Sequence, residues 1–180
     1  LPIYLDLGDT QVITIAYTVT DLQGGVGSNS FEITIHGTND APVATFNTLQ
    51  EVDEDDPVLT GQLTFTDDDT DDVITFAHTD APIDGFAINP VSGEWSFDPS
   101  HLTYQSLAEG EISSITINYS VTDLAGEGSA NNFNILITGG NDTPDATYDT
   151  DHNINEGDAP INDTLTVFDH DARSEEHTSE

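Results

Sequence analysis

Ile115-Thr116-Ile117-Asn118-Tyr119-Ser120-Val121-Thr122-Asp123-Leu124-Ala125-Gly126 decides the reading of this chain. Apolar side chains at 115, 117, 119 and 121 alternate with polar ones between them. A period of two, rich in Ile, Val, Thr and Tyr, marks a half-buried β-strand. Leu124–Gly128 then supplies a turn, and Phe133, Ile135 and Ile137 resume the alternation against Asn134 and Thr138. The pattern predicts two long strands joined as a hairpin. Further strands are expected over Ala44–Leu49, Leu59–Thr66, Val73–His78, Phe86–Ile88 and Glu94–Phe97, with a hairpin turn at Asn89–Gly93 and a short helical turn over Tyr104–Glu109. Trp95 and Phe97 share one side of their strand and are expected in the core. About seven antiparallel strands in ~100 residues suggest an immunoglobulin-like sandwich.

The deciding stretch occurs twice. Tyr17-Thr18-Val19-Thr20-Asp21-Leu22 precedes Tyr119-Ser120-Val121-Thr122-Asp123-Leu124 by 102 positions, and Asn39-Asp40-Ala41-Pro42 precedes Asn141-Asp142-Thr143-Pro144 by the same offset. Without a gap, about 28 of roughly 71 aligned positions are identical. A period near 100 residues suits a repeated whole domain, not a solenoid unit. The expected organisation is all-β and tandem. Residues 1–40 form the C-terminal part of one truncated repeat, 41–142 a complete repeat, and 143–172 the N-terminal part of a third. Residues 173–180, Arg-Ser-Glu-Glu-His-Thr-Ser-Glu, read as the in-frame translation of a sequencing adapter (AGA TCG GAA GAG CAC ACG TCT GAA) and are set aside from fold reasoning.

Charge narrows the function. The 180 residues carry 35 carboxylates and one basic residue, for a formal net charge of −34. Removing the suspect tail, with its Arg and three Glu, leaves −32 and no Lys or Arg. Such a chain cannot displace counterions from a nucleic-acid backbone, and an anionic membrane surface repels it. No apolar stretch approaches the ~18 residues of a membrane span. There is no Cys, hence no disulfide, thiol chemistry or thiolate metal site. Carboxylates in such excess repel one another unless cations intervene. Hard oxygen ligands without sulfur favour Ca²⁺.

Several stretches carry a family resemblance: Gly61-Gln62-Leu63-Thr64-Phe65-Thr66-Asp67-Asp68-Asp69, Gly93-Glu94-Trp95-Ser96-Phe97, Tyr104-Gln105-Ser106-Leu107-Ala108-Glu109-Gly110-Glu111 and Gly139-Gly140-Asn141-Asp142. Together they resemble the VCBS repeat of large bacterial surface proteins and RTX-type adhesins. The same residues resemble a cadherin repeat, with an early Glu, an Asp-x-Asp, an Asp-Leu-x-Gly turn and an Asn-Asp-x-Pro linker. In a sandwich of this topology, one pole gathers Asn39, Asp40, Asp67, Asp69 and Asp123. The other gathers Glu54, Asp98, Asn141 and Asp142 with Asp169 and Asp171. Each cluster straddles a repeat junction and is expected to ligate Ca²⁺. The pairs Glu54 and Glu156, Asp67 and Asp169, and Asp69 and Asp171 are equivalent at the 102 offset. Asp53, Asp55, Asp56, Asp68, Asp71 and Asp72 read as turn formers. Gly37 and Gly139 stand where cadherins carry the first linker Asp, which implies fewer ions per junction. The competing explanation is that all these Asp and Asn residues shape loops in a salt-adapted acidic protein.

Catalysis finds no support in the pattern. The six His are scattered, without metal spacing or a nucleophile motif, and His170 between Asp169 and Asp171 is expected to point away. What the resemblance implies is an extracellular extender: repeats of one chain braced by calcium, supporting adhesion or biofilm attachment, with any surface glycan or protein met by domains elsewhere. The alternative is a recognition module in which the sandwich itself binds carbohydrate, a partner protein or a neighbouring copy.

Overall fold

A computed structural model describes residues 5–69, 72–146 and 151–171. All its regular elements are strands. β1 (Thr10–Thr20) and β2 (Val26–His36) form a hairpin. The central unit contains β3 (Val43–Ala44), β4 (Gln50–Asp53), β5 (Leu59–Gln62), β6 (Phe65–Thr66), β7 (Thr75–His78), β8 (Phe86–Ile88), β9 (Glu94–Phe97), β10 (Ile112–Thr122) and β11 (Gly128–Thr138). A short antiparallel pair follows, β12 (Asp145–Ala146) with β13 (Val167–Phe168). One sheet of the central sandwich runs β4-β11-β10-β7 and the other β5-β9-β8, with β3 paired to β6 at the side. The fold is that of tandem immunoglobulin-like, cadherin-like sandwiches.

Alternation sets the core. Along β10, Ile117, Tyr119 and Val121 are fully buried, and across the register Phe133, Ile135 and Ile137 of β11 face the same way. Trp95 and Phe97 cover them from the second sheet, both in the core as their shared side of the strand requires. The Trp95 ring lies 5.1 Å from that of Phe133, and Phe46 meets Phe133 edge-on at 5.0 Å.

Three local expectations are corrected. β4 runs parallel to β11, with Gln50 beside Ile135 and Asp53 beside Thr138, so the strands are not all antiparallel. The stretch Ala44–Leu49 is a strand only at Val43–Ala44. Side chains tether it instead: Asn131 Nδ2 donates to Ala44 O at 3.1 Å and the Tyr119 hydroxyl to Phe46 O at 2.8 Å. Residues 104–109 form turns, not a helix. Tyr104 N–H donates to His101 O at 2.9 Å and Leu107 N–H to Tyr104 O at 3.2 Å, spaced i−3 turns and not the continuous ladder of a helix.

Gly61 sits opposite Trp95 in the β5–β9 register, and a Cβ there would overlap the indole. Trp95 is 2% exposed and its ring packs against those of Phe46, Phe86 and Phe133, so displacing the indole disturbs these contacts. Gly61→Ala should therefore destabilise the central sandwich by about 1–3 kcal/mol, a fall in Tm of at least ~4 °C. Thermal unfolding followed by Trp fluorescence checks this.

Candidate functional site

The poles of the central sandwich are built by backbone N–H groups reaching into acidic side chains. At the first pole, Asp40 N–H donates to Asp69 Oδ2 at 2.7 Å, and Asp69 N–H donates to Asp67 Oδ1 at 3.1 Å. Asn39 Nδ2 donates to Asp123 Oδ2 at 2.8 Å and to Glu127 Oε2 at 3.2 Å. Asp123 Oδ1 accepts Glu127 N–H at 2.8 Å, which closes the β10–β11 turn. Asn39, Asp40, Asp67, Asp69 and Asp123 thus meet at one place, as the sandwich topology requires. They join the linker that follows β2 to two loops of the central unit.

The second pole repeats this pattern 102 residues on. Asp142 N–H donates to Asp171 Oδ2 at 3.3 Å and Asp171 N–H to Asp169 Oδ1 at 3.2 Å. Asn141 Nδ2 donates to Asp142 O at 3.2 Å, as Asn39 does to Asp40 O at 3.3 Å. Glu54 enters from the loop after β4. Its Oε1 accepts Gly140 N–H at 2.6 Å, and its carbonyl accepts Gln105 Nε2 at 3.1 Å. Among the described residues, no hydrogen bond brings Asp98 to this cluster. Its Oδ1 accepts Ser100 N–H at 3.1 Å and Ser100 Oγ–H at 2.7 Å, so it caps the turn after β9. His170 packs edge-on against Phe168, ring centroids 4.7 Å apart.

Charge is the dominant physical fact at both poles. Glu54 is 1% exposed and Asp69 4%. Among the described residues, six buried carboxylate oxygens lack any hydrogen-bond partner. Asp67 Oδ2, Asp69 Oδ1 and Asp72 Oδ2 belong to the first pole, and Glu54 Oε2, Asp142 Oδ2 and Asp171 Oδ1 to the second. Burial pushes the Glu54 carboxyl above its usual range; the Gly140 N–H opposes this, while Asp142, Asp55 and Asp171 add to the rise. Asp72 is raised by its loss of solvent and by Asp69, Asp123, Asp67 and Asp6. Asp123 is lowered, chiefly by the Asn39 amide. A buried, unpartnered carboxylate is costly unless a proton or a cation meets it.

The donor set, all hard oxygen, fits Ca²⁺ in kind. It does not yet fit in spacing: among the described residues, no three His, Asp or Glu side chains converge closely enough to hold a metal ion as they stand. Asp72 and Asp55, which the sequence reads as turn formers, also stand at these poles, as does Glu127. Asp72 aligns with Ser174 in the excluded tail, Asp55 with Gly157 and Glu127 with Gly25, so the repeat carried no signal for them. Gly37 and Gly139 have a steric reason. A Cβ on Gly139 would collide with Ala108 O, and one on Gly37 with Asp6 O. The preceding loop occupies the space that a linker Asp would need.

With this geometry in view, the chain belongs to the bacterial Ig domain family, whose model matches residues 39–136. No curated protein matches it in sequence. Among solved structures, it is similar to protocadherin gamma B7 extracellular cadherin domains 1–4, with 16% identity over 92% of this chain and 51% of that one, TM-score 0.51. Protocadherin gamma B2 extracellular cadherin domains 1–5 give 17% identity over 92% of this chain and 40% of that one, TM-score 0.51. The chain thus spans about half, or less, of the length of these neighbours, and at such identity the likeness is one of fold.

Proposed function

We propose that these are calcium-braced extender repeats of a large bacterial surface or secreted protein, of the VCBS type found in RTX adhesins. One observation carries the reading: each pole places three unpartnered, buried carboxylate oxygens at a linker. Asn39, Asp40, Asp67, Asp69 and Asp123, joined by Asp72, would hold the ions of the first junction. Glu54, Asn141, Asp142, Asp169 and Asp171 would hold those of the second. Bound calcium would supply positive charge that both sides of a linker share, drawing the carboxylates together. Extracellular modules bind Ca²⁺ at ~10⁻⁴–10⁻³ M, so the brace would set outside the cell. No helix is long and apolar enough to cross a membrane among the described residues. The role is spacing, not catalysis. Trp95, the only Trp, lies in the core, so it gives no aromatic platform for a glycan, which favours a spacer over a recognition module.

Small-angle scattering of the chain in EDTA and in Ca²⁺ tests this. The expected result is a longer, stiffer particle in calcium, with half-saturation near 10⁻⁴–10⁻³ M. Identical scattering in EDTA and at about 10 mM Ca²⁺, well above that range, would sink the assignment and leave the acidic loops as salt adaptation.

A further inference from the structure

The chain enters the central sandwich at one pole and leaves it at the other. It comes in where Asp40 N–H meets Asp69 and goes out where Gly140 N–H meets Glu54. A pull along the chain therefore draws β3 and β4 one way and β11 the other. The register decides what resists. β4 and β11 run parallel, from Gln50 beside Ile135 to Asp53 beside Thr138. Two parallel strands gripped at opposite ends cannot be peeled apart by such a pull. They must slide past each other, and sliding strains every bond of the ladder at once. The far end of β4 is fastened further: Glu54 N–H donates to Thr138 O at 3.0 Å, and Gln105 Nε2 to Glu54 O at 3.1 Å. The segment before β4 is tied to β11 as well, since Ala44 N–H donates to Ser129 Oγ at 2.7 Å and Asn131 Nδ2 to Ala44 O at 3.1 Å. Val52, in the middle of β4, is 7% exposed and anchors the strand in the core.

We propose that β4 and β11 form a shear clamp through which the central sandwich carries tension along the chain. The clamp goes beyond a calcium brace. Ions at the linkers would set the stiffness of the rod, whereas the clamp sets the force at which a repeat opens, and it needs no metal. Each hydrogen bond contributes little by itself. Resistance comes from loading them together, so it depends on the direction of the pull. Once β4 slides, Val52 leaves the core and the sandwich opens as one unit.

Single-molecule pulling of the whole chain in EDTA tests this apart from calcium. The chain has no native Cys, so handles can be placed by substitution at exposed positions. Thr38→Cys with Thr143→Cys applies force through the two linkers. Leu49→Cys with Asn134→Cys instead pulls apart the neighbouring ends of β4 and β11, one register step before Gln50 and Ile135. Both pairs unfold the same sandwich and should release about 300 Å, at ~3.4 Å per residue less the folded length. Four register pairs and the Glu54 N–H bond resist together in the first direction and in turn in the second, so the peak force should be about two- to fourfold higher through the linkers. Denaturant midpoints of the two variants without load should coincide, so that the contrast reports direction and not stability. Equal peak forces in the two directions, or a weaker linker direction, overturn the clamp. Neither result bears on the calcium assignment, because no metal is present.

Discussion

Calcium at about 5 mM should raise the Tm of the chain by about 10–20 °C over its value in EDTA. The size follows from linkage. One site at ten times its Kd adds about 1.4 kcal/mol. With one ion at each pole the gain is about 3 kcal/mol, and each kcal/mol shifts the Tm of a ~100-residue domain by roughly 4–8 °C. Asp67→Asn with Asp69→Asn should halve this gain, because it silences the first pole and leaves the second intact. The exchange keeps the local hydrogen bonds, since an Asn carbonyl can still accept Asp40 N–H and the N–H of residue 69, now held by Asp69 Oδ2 and Asp67 Oδ1. A lost calcium response would therefore report lost charge, not a broken loop. In EDTA the double variant should be at least as stable as the parent, because two mutually repelling carboxylates are gone. Mg²⁺, which wants a rigid octahedron and gives up water reluctantly, should replace calcium poorly. Differential scanning calorimetry in EDTA, Mg²⁺ and Ca²⁺ decides among these outcomes. An equal calcium gain in parent and double variant would remove Asp67 and Asp69 from the site.

The long strands were legible because sustained alternation, as over Ile115–Thr122 within β10, fits one sheet face and no helix. The poles were legible because the sandwich topology fixes which loops share an end, and the repeat showed which acids recur. Among the short elements, Phe86–Ile88 and Glu94–Phe97 are strands as expected, but β4 was not legible. Gln50–Asp53 offers only Val52 to a core, so no period announces β4, and its pairing depends on the end of β11. Asp98 is expected at the second pole because its loop lies at that end of the fold; locally, its Oδ1 accepts hydrogen bonds from Ser100, two residues away. Asp72 shows the reverse. A neighbour that aligns with nothing usable in the repeat nevertheless stands among the acids of the first pole.

Glu54→Gln should change sign between the two metal conditions, which makes it the sharper test of the second pole. Glu54 is fully buried, Gly140 N–H holds its Oε1, and its Oε2 has no partner. Its folded-state pKa is raised, first by burial and then by Asp142, Asp55 and Asp171. The folded protein therefore holds this proton more tightly than the unfolded chain. In EDTA, the contribution of Glu54 is fully present below the unfolded value of ~4.3 and is lost as pH rises through the higher folded value. Asp123 runs the other way. Its lowered pKa gives stability above the unfolded value of ~3.9, and that stability is lost as pH falls through the folded value. The metal-free Tm should thus climb from pH 7 toward mildly acid pH and fall again below about pH 4. Gln at position 54 keeps an oxygen for Gly140 and offers an amide donor to the surrounding carboxylates. Relief of one buried, unsatisfied group is worth about 1–3 kcal/mol, so at pH 7 in EDTA the variant should melt at least ~4 °C above the parent and lose most of the climb. In calcium, the same substitution removes a charged ligand and should leave the variant below the parent. A variant more stable than the parent in both conditions would mean that Glu54 is a buried acid and not a ligand.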